Sequence, residues 1–538
     1  MSSIKGGKTP TNSQENISLQ EEGEGEGYTF SKTYKSLKWI IFLNILCAFP
    51  GFAFGWDVGT AGGIVNFDSF KAKFGSNGEF NPWVVGFIIA GFNAGCAFGG
   101  LFLSKGADYW GRRFMIFVSM VILTIGTLIQ VSATASGKWY QILIGRIFNG
   151  LAVGITSVVT PMLVSESAVA KYRGGLVVFY QLFITLGILI GNVTNFLTKL
   201  TLNGQDGEWI VPIALNFLWV LIISITTIFM PESAVYYLSK GETEKAKQVT
   251  RKVHCIKEED SFEDKAYVEH LISRRENEAG ESKLSSGAGV KWTECFTGTP
   301  RLGLRLALGM SVMLFQQFSG ANYFFYYGTT LFRSVGLDDS YVTSIILGAV
   351  NFVSTFAGIY FVEKFGRRAC LLAGSIGMLT CMLIYTCLGS FALGNQNYNS
   401  ASVGGAMIAF TCIYIFFFAT TWGPVAFVVV SELFPARVKA ISMSLSIAMN
   451  WISNFLISLL TPFIIKAIGF KYGFIFAGFL FVSAIVVSIF LKETKGCTTD
   501  EDVDRLYLRS INTTESTGLS GSDTQSTTEK VQIKNVAK

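Results

Sequence analysis

Residues 106–113 read GADYWGRR, and residues 361–368 read FVEKFGRR. Each copy sets an acid, Asp108 or Glu363, three residues ahead of a Gly-Arg-Arg, and the copies lie 255 residues apart. A second echo pairs VSESAVAKYR (164–173) with VSELFPAR (430–437), about 266 residues apart. Two motifs repeated in one order at nearly one offset mark a duplicated chain. Around the copies lie apolar stretches of about 20 residues or more, the length a membrane helix needs. Twelve can be placed, near 39–63, 83–104, 114–134, 140–162, 174–197, 210–230, 303–328, 341–362, 370–392, 403–431, 440–466 and 472–491. The pattern predicts an all-α polytopic membrane protein, twelve transmembrane helices in two pseudo-symmetric six-helix bundles. Duplicated six-span halves belong to transporters with a midplane site more than to channels, receptors or enzymes.

Composition agrees. Charged residues make up 15% of the 538, against about 25% in soluble domains. Of 80 charges, 49 fall in residues 1–38, 231–300 and 492–538. With 50% hydrophobic residues, 47 Phe and 56 Gly, the chain is no ordinary soluble enzyme, disordered chain or nucleic-acid binder. Its two histidines, His254 and His270, lie in the charged middle segment, which excludes a His-based triad and an intramembrane His relay. Nine cysteines without a CxxC pair read as small hydrophobes, so no metal site, cofactor or disulfide framework is expected.

The expected organisation is a disordered tail (1–38), a first bundle (39–230), a linker with short helices (231–302), a second bundle (303–491) and a C-terminal tail (492–538). Basic residues are denser in the loops after even-numbered spans, for instance Lys105, Arg112, Arg113, Lys171 and Arg173. By the positive-inside rule both termini and the linker are cytoplasmic.

Further motifs run in order along the chain: FGWDVGTAGG (54–63), GRIFNGLAVG (145–154), PMLVSESAVAKYRGG (161–175), YQLFITLGILIGN (180–192), QQFSGANYFFYYGTTLF (316–332), VEKFGRR (362–368), TWGPVAFVVVSELFPARVKA (421–440) and ETKG (493–496). On these pieces the chain, from about 40 to 500, resembles the major facilitator superfamily and within it the sugar porters, most like the fungal hexose transporters. The resemblance implies a plasma-membrane protein that carries a monosaccharide by alternating access, with a sugar and membrane lipid as partners and no covalent chemistry.

A pyranose presents hydroxyls that both donate and accept, and an apolar C–H face, so its site needs amides and an aromatic plate. The resemblance assigns that role to Gln181, Gln316, Gln317, Asn322, Asn351, Phe427, Asn450, Trp451 and Asn454. Gln316, Gln317 and Asn322 straddle Ser319-Gly320, where a broken helix could turn all three inward. Asn450 and Asn454 read equally well as interhelical hydrogen bonds. Tyr326 and Tyr327 resemble outer-gate tyrosines, with an interfacial aromatic belt as the alternative. Phe427 stands where many relatives carry Trp or Tyr; it can stack but not donate a hydrogen bond. Gly423-Pro424 should bend the tenth span.

Asp57 is an acid inside a span, where an unpaired charge costs about 2.5–3.5 kcal/mol or more. Arg146 in the fourth span is its expected partner. The resemblance makes this pair a protonation switch in proton-coupled porters, although fungal facilitators keep it too; facilitated diffusion, proton symport and a non-transporting sensor all stay open. Relatives use charged residues at the cytoplasmic helix ends as a latch, which here assigns Asp108, Arg112, Arg113, Glu166, Arg173, Glu363, Arg367, Arg368, Glu432 and Arg437. Val235 stands where the family has Arg, Ile210 where close relatives have Arg, Lys492 in place of a usual Pro and Ala321 where Asp is frequent. These departures predict a weaker latch and a population shifted toward inward-open states. Tail lysines (Lys5, Lys8, Lys32, Lys35, Lys530, Lys534, Lys538) beside Ser and Thr are candidate targets of ubiquitin ligase machinery.

Overall fold

The structure is a computed structural model that describes residues 34–75, 80–167, 173–253, 268–269, 272–273, 293–334, 340–393, 400–497 and 500–508. His254, His270, the side chains of Arg173 and Arg437 and those of the tail lysines lie outside the described part. Helices dominate, and no strand occurs among the described residues.

Among the described residues ten helical stretches are long and apolar enough to cross a membrane, and one of them, Ile441–Phe490, contains two spans joined by a tight turn. The broken segment Leu302–Phe318 and Ala321–Ser334 completes twelve. Span 1 is Tyr34–Ala48 and Gly51–Ile64, interrupted at Pro50. Spans 2 to 6 are Pro82–Leu101, Arg112–Ser136, Trp139–Ser167, Arg173–Thr201, and the pair Gly207–Ala214 and Asn216–Phe229. Span 7 is the broken segment; spans 8 and 9 are Ser340–Phe365 and Arg367–Cys387. Span 10 is Ser400–Thr420 and Trp422–Leu433, span 11 Ala436–Ile468 and span 12 Tyr472–Phe490.

Local chemistry sets the breaks and ends. Span 7 parts at Gly320, whose φ of +97° is open to glycine and strained for a side chain. Span 10 parts at Thr421, with φ −129° and ψ −86°, three residues before Pro424, which offers no amide proton to the turn behind it. Span 2 begins on the Asn81 side chain, which accepts from Trp83 N at 3.1 Å, with Pro82 in the first turn; a capping amide and an early proline both suit a helix start.

The first half is held by glycine seams. A Cβ on Gly51, Gly55 or Gly59 of span 1 would stand 2.6, 1.9 or 2.5 Å from the carbonyls of Tyr180, Ile184 and Ile188 in span 5. Spans 2 and 4 meet likewise, with Gly95 and Gly99 on the carbonyls of Ile147 and Leu151, and Gly150 and Gly154 on those of Phe92 and Cys96. In a bilayer, small residues that let backbones touch are what hold helices together.

The duplication is visible atom by atom at the end of the bundle that carries the arginines, here the basic face. Arg112 donates to Glu166 Oε1 at 3.1 Å, joining the start of span 3 to the end of span 4. Arg367 donates to Glu432 through Nε and Nη2 at 3.1 and 2.7 Å, joining spans 9 and 10. Glu232, just past span 6, accepts the backbone N–H groups of Arg112 and Arg113 at 3.0 and 3.1 Å; Glu493, just past span 12, accepts those of Arg367 and Arg368 at 2.8 and 3.0 Å. Each carboxylate thus caps a helix start whose first amides have no partner within the helix. Burial raises the Glu232 carboxyl above the usual glutamate range, ahead of the lowering effect of its backbone hydrogen bonds. Arg113 and Arg368 donate to the carbonyls of Ile228 and Ser488, equivalent points near the ends of spans 6 and 12.

The acids of the leading motif fare differently. Asp108 lies 3.3 Å from Arg112. Glu363 is exposed and makes no ion pair among the described residues, because Arg367 turns to Glu432 and the Arg368 guanidinium to Ser488. The tail beyond span 12 includes a short helix, Asp500–Tyr507, whose Asp504 pairs with the fully buried Arg305 of span 7. Arg305 also donates to the Leu433 carbonyl at 2.7 Å and faces the Tyr507 ring.

Candidate binding site between the halves

The breaks in spans 7 and 10 meet in the second half, and amides fill the meeting point. Gln316 is buried, and its Nε2 donates to the carbonyls of Trp422 and Gly423, both at 3.0 Å. Asn450 of span 11 donates to Gln316 Oε1 at 2.6 Å and to the Met313 carbonyl at 3.2 Å, and accepts from Gln317 Nε2 at 2.9 Å. Across Gly320, Asn322 Nδ2 donates to Gln317 Oε1 at 2.6 Å and to Asn454 Oδ1 at 3.0 Å. Five of the nine amide and aromatic positions singled out in the sequence therefore form one hydrogen-bonded cluster.

Spare capacity sits at its edge. Gln317, Asn322 and Phe427 are half-buried. Gln181 is half-buried too, makes no hydrogen bond among the described residues, and its Nε2 lies 3.8 Å from where a Gly423 Cβ would stand. Asn351 Oδ1 is buried without a partner among the described residues. An unpaired buried amide oxygen is costly unless a ligand or water fills it. Trp451 is placed otherwise: it is buried against Phe54 of span 1, with ring centroids 5.2 Å apart, and clusters with Phe92 and Cys96 of span 2, so it packs between the halves.

Opposite the basic face the halves are sealed. Tyr326 and Tyr327 are buried there, with the Tyr326 carbonyl 2.4 Å from a Gly62 Cβ position and the Tyr327 hydroxyl donating to the Ser458 carbonyl at 2.6 Å. Asn66 Nδ2 donates to Gly62 O at 2.8 Å and Thr329 Oγ1 at 2.9 Å, and the Tyr341 hydroxyl donates to Gly63 O at 3.1 Å. Asn192 Nδ2 donates to the Ser344 carbonyl at 3.2 Å, joining spans 5 and 8. At the basic face the pairs Arg112–Glu166 and Arg367–Glu432 each stay within one half.

Asp57 and Arg146 form a second polar centre, inside the first half. Arg146 Nη2 lies 2.9 Å from Asp57 Oδ2, Nε donates to the Ile88 carbonyl at 2.6 Å, and both side chains are buried. Beside the pair a cavity of about 10 Å³ is lined by Thr60, Gln130 and Asn216 among others, with Gln130 Nε2 unpartnered among the described residues; that is room for about one water.

Sequence reasoning missed Asn93 and Ser458, which extend the amide cluster into span 2, and the capping acids Glu232 and Glu493. A signal for the acids was present: Pro231-Glu232-Ser233 and Lys492-Glu493-Thr494 follow the last span of each half. It is a one-residue echo, too short to stand out.

Two six-helix halves, with uncharged polar groups gathered at the helix breaks of one and a seal between the two on one side, define a transporter of the alternating-access type. Residues 43–507 match the model of the "Sugar (and other) transporter" family, and the chain belongs to that family, the sugar porters of the major facilitator superfamily. The Low-affinity glucose transporter of Kluyveromyces lactis is 42% identical over 491 residues, 89% of this chain and 84% of that one. The High-affinity hexose transporter HXT6 of Saccharomyces cerevisiae is 43% identical over 92% of this chain and 87% of its own length. Among solved structures, the proton:xylose symporter XylE bound to 6-bromo-6-deoxy-D-glucose aligns with a TM-score of 0.74 at 23% identity, covering 88% of this chain and all of that one; at that identity the likeness shows the fold. Family membership makes the protein a transporter and not an enzyme.

Proposed function

We propose that the protein carries a hexose, glucose or a close epimer, across the plasma membrane by facilitated diffusion. The observation that carries the reading is the cluster Gln316, Gln317, Asn322, Asn450 and Asn454 of the second half, an amide set without a charge in it. Each amide holds donors and an acceptor that a sugar hydroxyl can replace one for one, with Gln181 and Asn351 supplying unused groups and Phe427 a face for the ring. The glucose and hexose transporters at 42–43% identity support the same substrate class.

In this reading the basic face and both termini are cytoplasmic, following the positive-inside rule. Tyr326 and Tyr327 gate the outer side, and the charge clusters of Arg112 and Arg367 form the inner latch, hydrated enough to be remade in each cycle. Arg173, Glu363 and Arg437 belong to that latch in the outward-open state. The missing Arg at position 235 weakens it, so Val235→Arg should slow labelling of an inside-accessible cysteine reporter; an unmoved rate would remove the idea. Ubiquitination of the tail lysines would govern turnover, and unchanged glucose-induced turnover after Lys→Arg replacement would defeat that.

A second reading, proton symport, is favoured by one observation: the buried Asp57–Arg146 pair beside a small cavity that Gln130 and Asn216 also line. Labelled glucose uptake in cells lacking their own hexose carriers, with and without a protonophore, separates the two. Saturable uptake indifferent to protonophore, kept in Asp57→Asn, supports the facilitator. Accumulation above the outside level that collapses with protonophore and with Asp57→Asn establishes the symporter. No uptake of hexose or pentose with the chain at the cell surface overturns both and turns the reading to a non-transporting sensor.

A further inference from the structure

Arg305 of span 7 is fully buried toward the basic face, eleven residues before Gln316. Its Nε donates at 2.7 Å to the carbonyl of Leu433, the last residue of the span 10 segment Trp422–Leu433. Gln316 holds the carbonyls of Trp422 and Gly423 at the other end of that segment. The segments Leu302–Phe318 and Trp422–Leu433 are thus tied at both ends, by two side chains about three turns apart on span 7, each bonded to backbone carbonyls of span 10. The tie at the basic face carries a charge, and its counter-ion comes from outside the spans: Asp504 of the tail helix Asp500–Tyr507 pairs with Arg305 Nη1. Val503 and Tyr507 seat that helix, both of them buried. The Arg305 guanidinium carbon stands 5.4 Å from the Tyr507 ring centre, and the Tyr507 hydroxyl accepts from Lys492 N at 3.5 Å. Every one of these contacts lies within the second half, so none of them latches one half to the other.

We propose that the tail helix sets the sugar site from a distance: Asp504 keeps Arg305 on the Leu433 carbonyl, and this tie fixes how the two segments stand to each other where Gln316 meets span 10. The inference rests on the reading that the amide cluster holds the sugar. A buried guanidinium deprived of its acid is strongly unfavourable, and the way to relieve it is to move toward water, off the Leu433 carbonyl. The Asp504 side chain is 31% exposed and that of Arg305 is 0% exposed, so the acid can leave while the arginine cannot stay as it is. With the basic-face tie gone, the segments are held only at Gln316, and the amide that should be ready for a hydroxyl has to be ordered when the sugar arrives. Lost preorganisation of this kind appears as weaker binding. Asp504 and Arg305 are positioning residues here, since neither touches sugar. An ion pair that merely stabilised the fold would have the same geometry, and the two cases part when the stranded charge is removed as well.

The test measures the KM for labelled glucose in cells lacking their own hexose carriers, with uptake normalised to the copies at the surface, and the melting temperature of each purified chain. Asp504→Ala should raise KM several-fold and lower the melting temperature; Asp504→Asn substitutes for it if that variant does not reach the surface. Asp504→Glu, which keeps the charge, should stay near the parent. A chain ending at Arg509 keeps the helix and should have the parent's KM, whereas one ending at Thr499 should match Asp504→Ala. Arg305→Met with Asp504→Ala removes the stranded charge together with the tie, so the melting temperature should recover while KM stays raised. An unchanged KM in Asp504→Ala, or a KM that recovers in the double variant, overturns the proposal. Hydrogen exchange of the purified chains reads the tie without sugar: residues 302–308 and 428–433 should exchange several-fold faster in Asp504→Ala and in the double variant, with residues 112–118 of the first half unchanged. Equal exchange in parent and variants likewise overturns it. A parent that takes up no glucose registers as a failure of the transport reading, and the exchange rates then decide the tie alone.

Discussion

The two halves share a plan at the basic face and part company above it. In the first half, spans 1 and 5 and spans 2 and 4 touch backbone to backbone along glycines, and the polar centre is an ion pair. In the second, spans 7 and 10 are broken at Gly320 and Thr421, as spans 1 and 6 of the first are at Pro50 and Leu215, but here the two breaks meet inside the polar centre, a net of amides. A helix pair in backbone contact moves as one piece, whereas a broken helix can turn one segment against the other. The duplication therefore yields a half stiffened along its glycines and a half jointed at its amides, and the exchangeable hydrogen bonds sit in the jointed one.

The sharpest way to break this comparison is to strand a charge in the stiff half. Arg146→Ala leaves Asp57 buried and unpaired, at a cost of about 3–5 kcal/mol; the purified protein should lose most of its thermal stability, with Asp57→Asn on top restoring part of it. Gly55→Ala comes next. Its new methyl would meet the Ile184 carbonyl, and overpacking costs about 1–3 kcal/mol. A comparable change in the second half, Gly358→Ala in span 8, would put a methyl 3.0 Å from the Ala419 carbonyl of span 10, a looser fit, and should lower the melting temperature less. Equal losses from both would end the contrast between stiff and jointed halves.

Smaller effects probe what the halves share. Glu232→Gln and Glu493→Gln each leave one oxygen where two backbone N–H groups were bound, and should destabilise by similar amounts, about 1–3 kcal/mol each. pH adds a signature at Glu232. Because its carboxyl is raised by burial, the fold binds that proton more tightly than the unfolded chain does. This group's contribution to stability is thus greatest below the ordinary glutamate value and falls as pH rises through the raised one. The melting temperature of wild type relative to Glu232→Gln should accordingly drift downward over that interval. Smallest is Phe427→Tyr, which adds a hydroxyl at the edge of the amide net and should change the KM for glucose several-fold, about 1 kcal/mol, without a change in melting temperature.

The spans were legible because an apolar run of sufficient length has few other uses, and the break in span 7 because Ser319-Gly320 interrupts one. The first span begins at Tyr34, earlier than its apolar run implies, since a helix continues past the residues that need lipid. Pairings between distant segments were harder. Asp108 and Glu363 hold the same place in the repeat, yet one stands beside its arginine and the other does not, because Arg367 has the better-placed Glu432. The amide residues were legible as a set but not in their bonding to one another, which depends on how spans 7, 10 and 11 cross. Asn93 and Ser458 were invisible for the same reason: a lone polar residue in a span says nothing about which helix it faces.

The glycine seams also set an order of assembly. As the chain leaves the ribosome, span 2 gains its partner when span 4 enters the bilayer, only two segments later. Span 1 carries a face of bare backbone that fits nothing until span 5 arrives, so for the synthesis of three intervening helices it rests against lipid or the insertion machinery. The first helix made is among the last in its half to find its place, and a delay between spans 4 and 5 lengthens the time it spends uncovered.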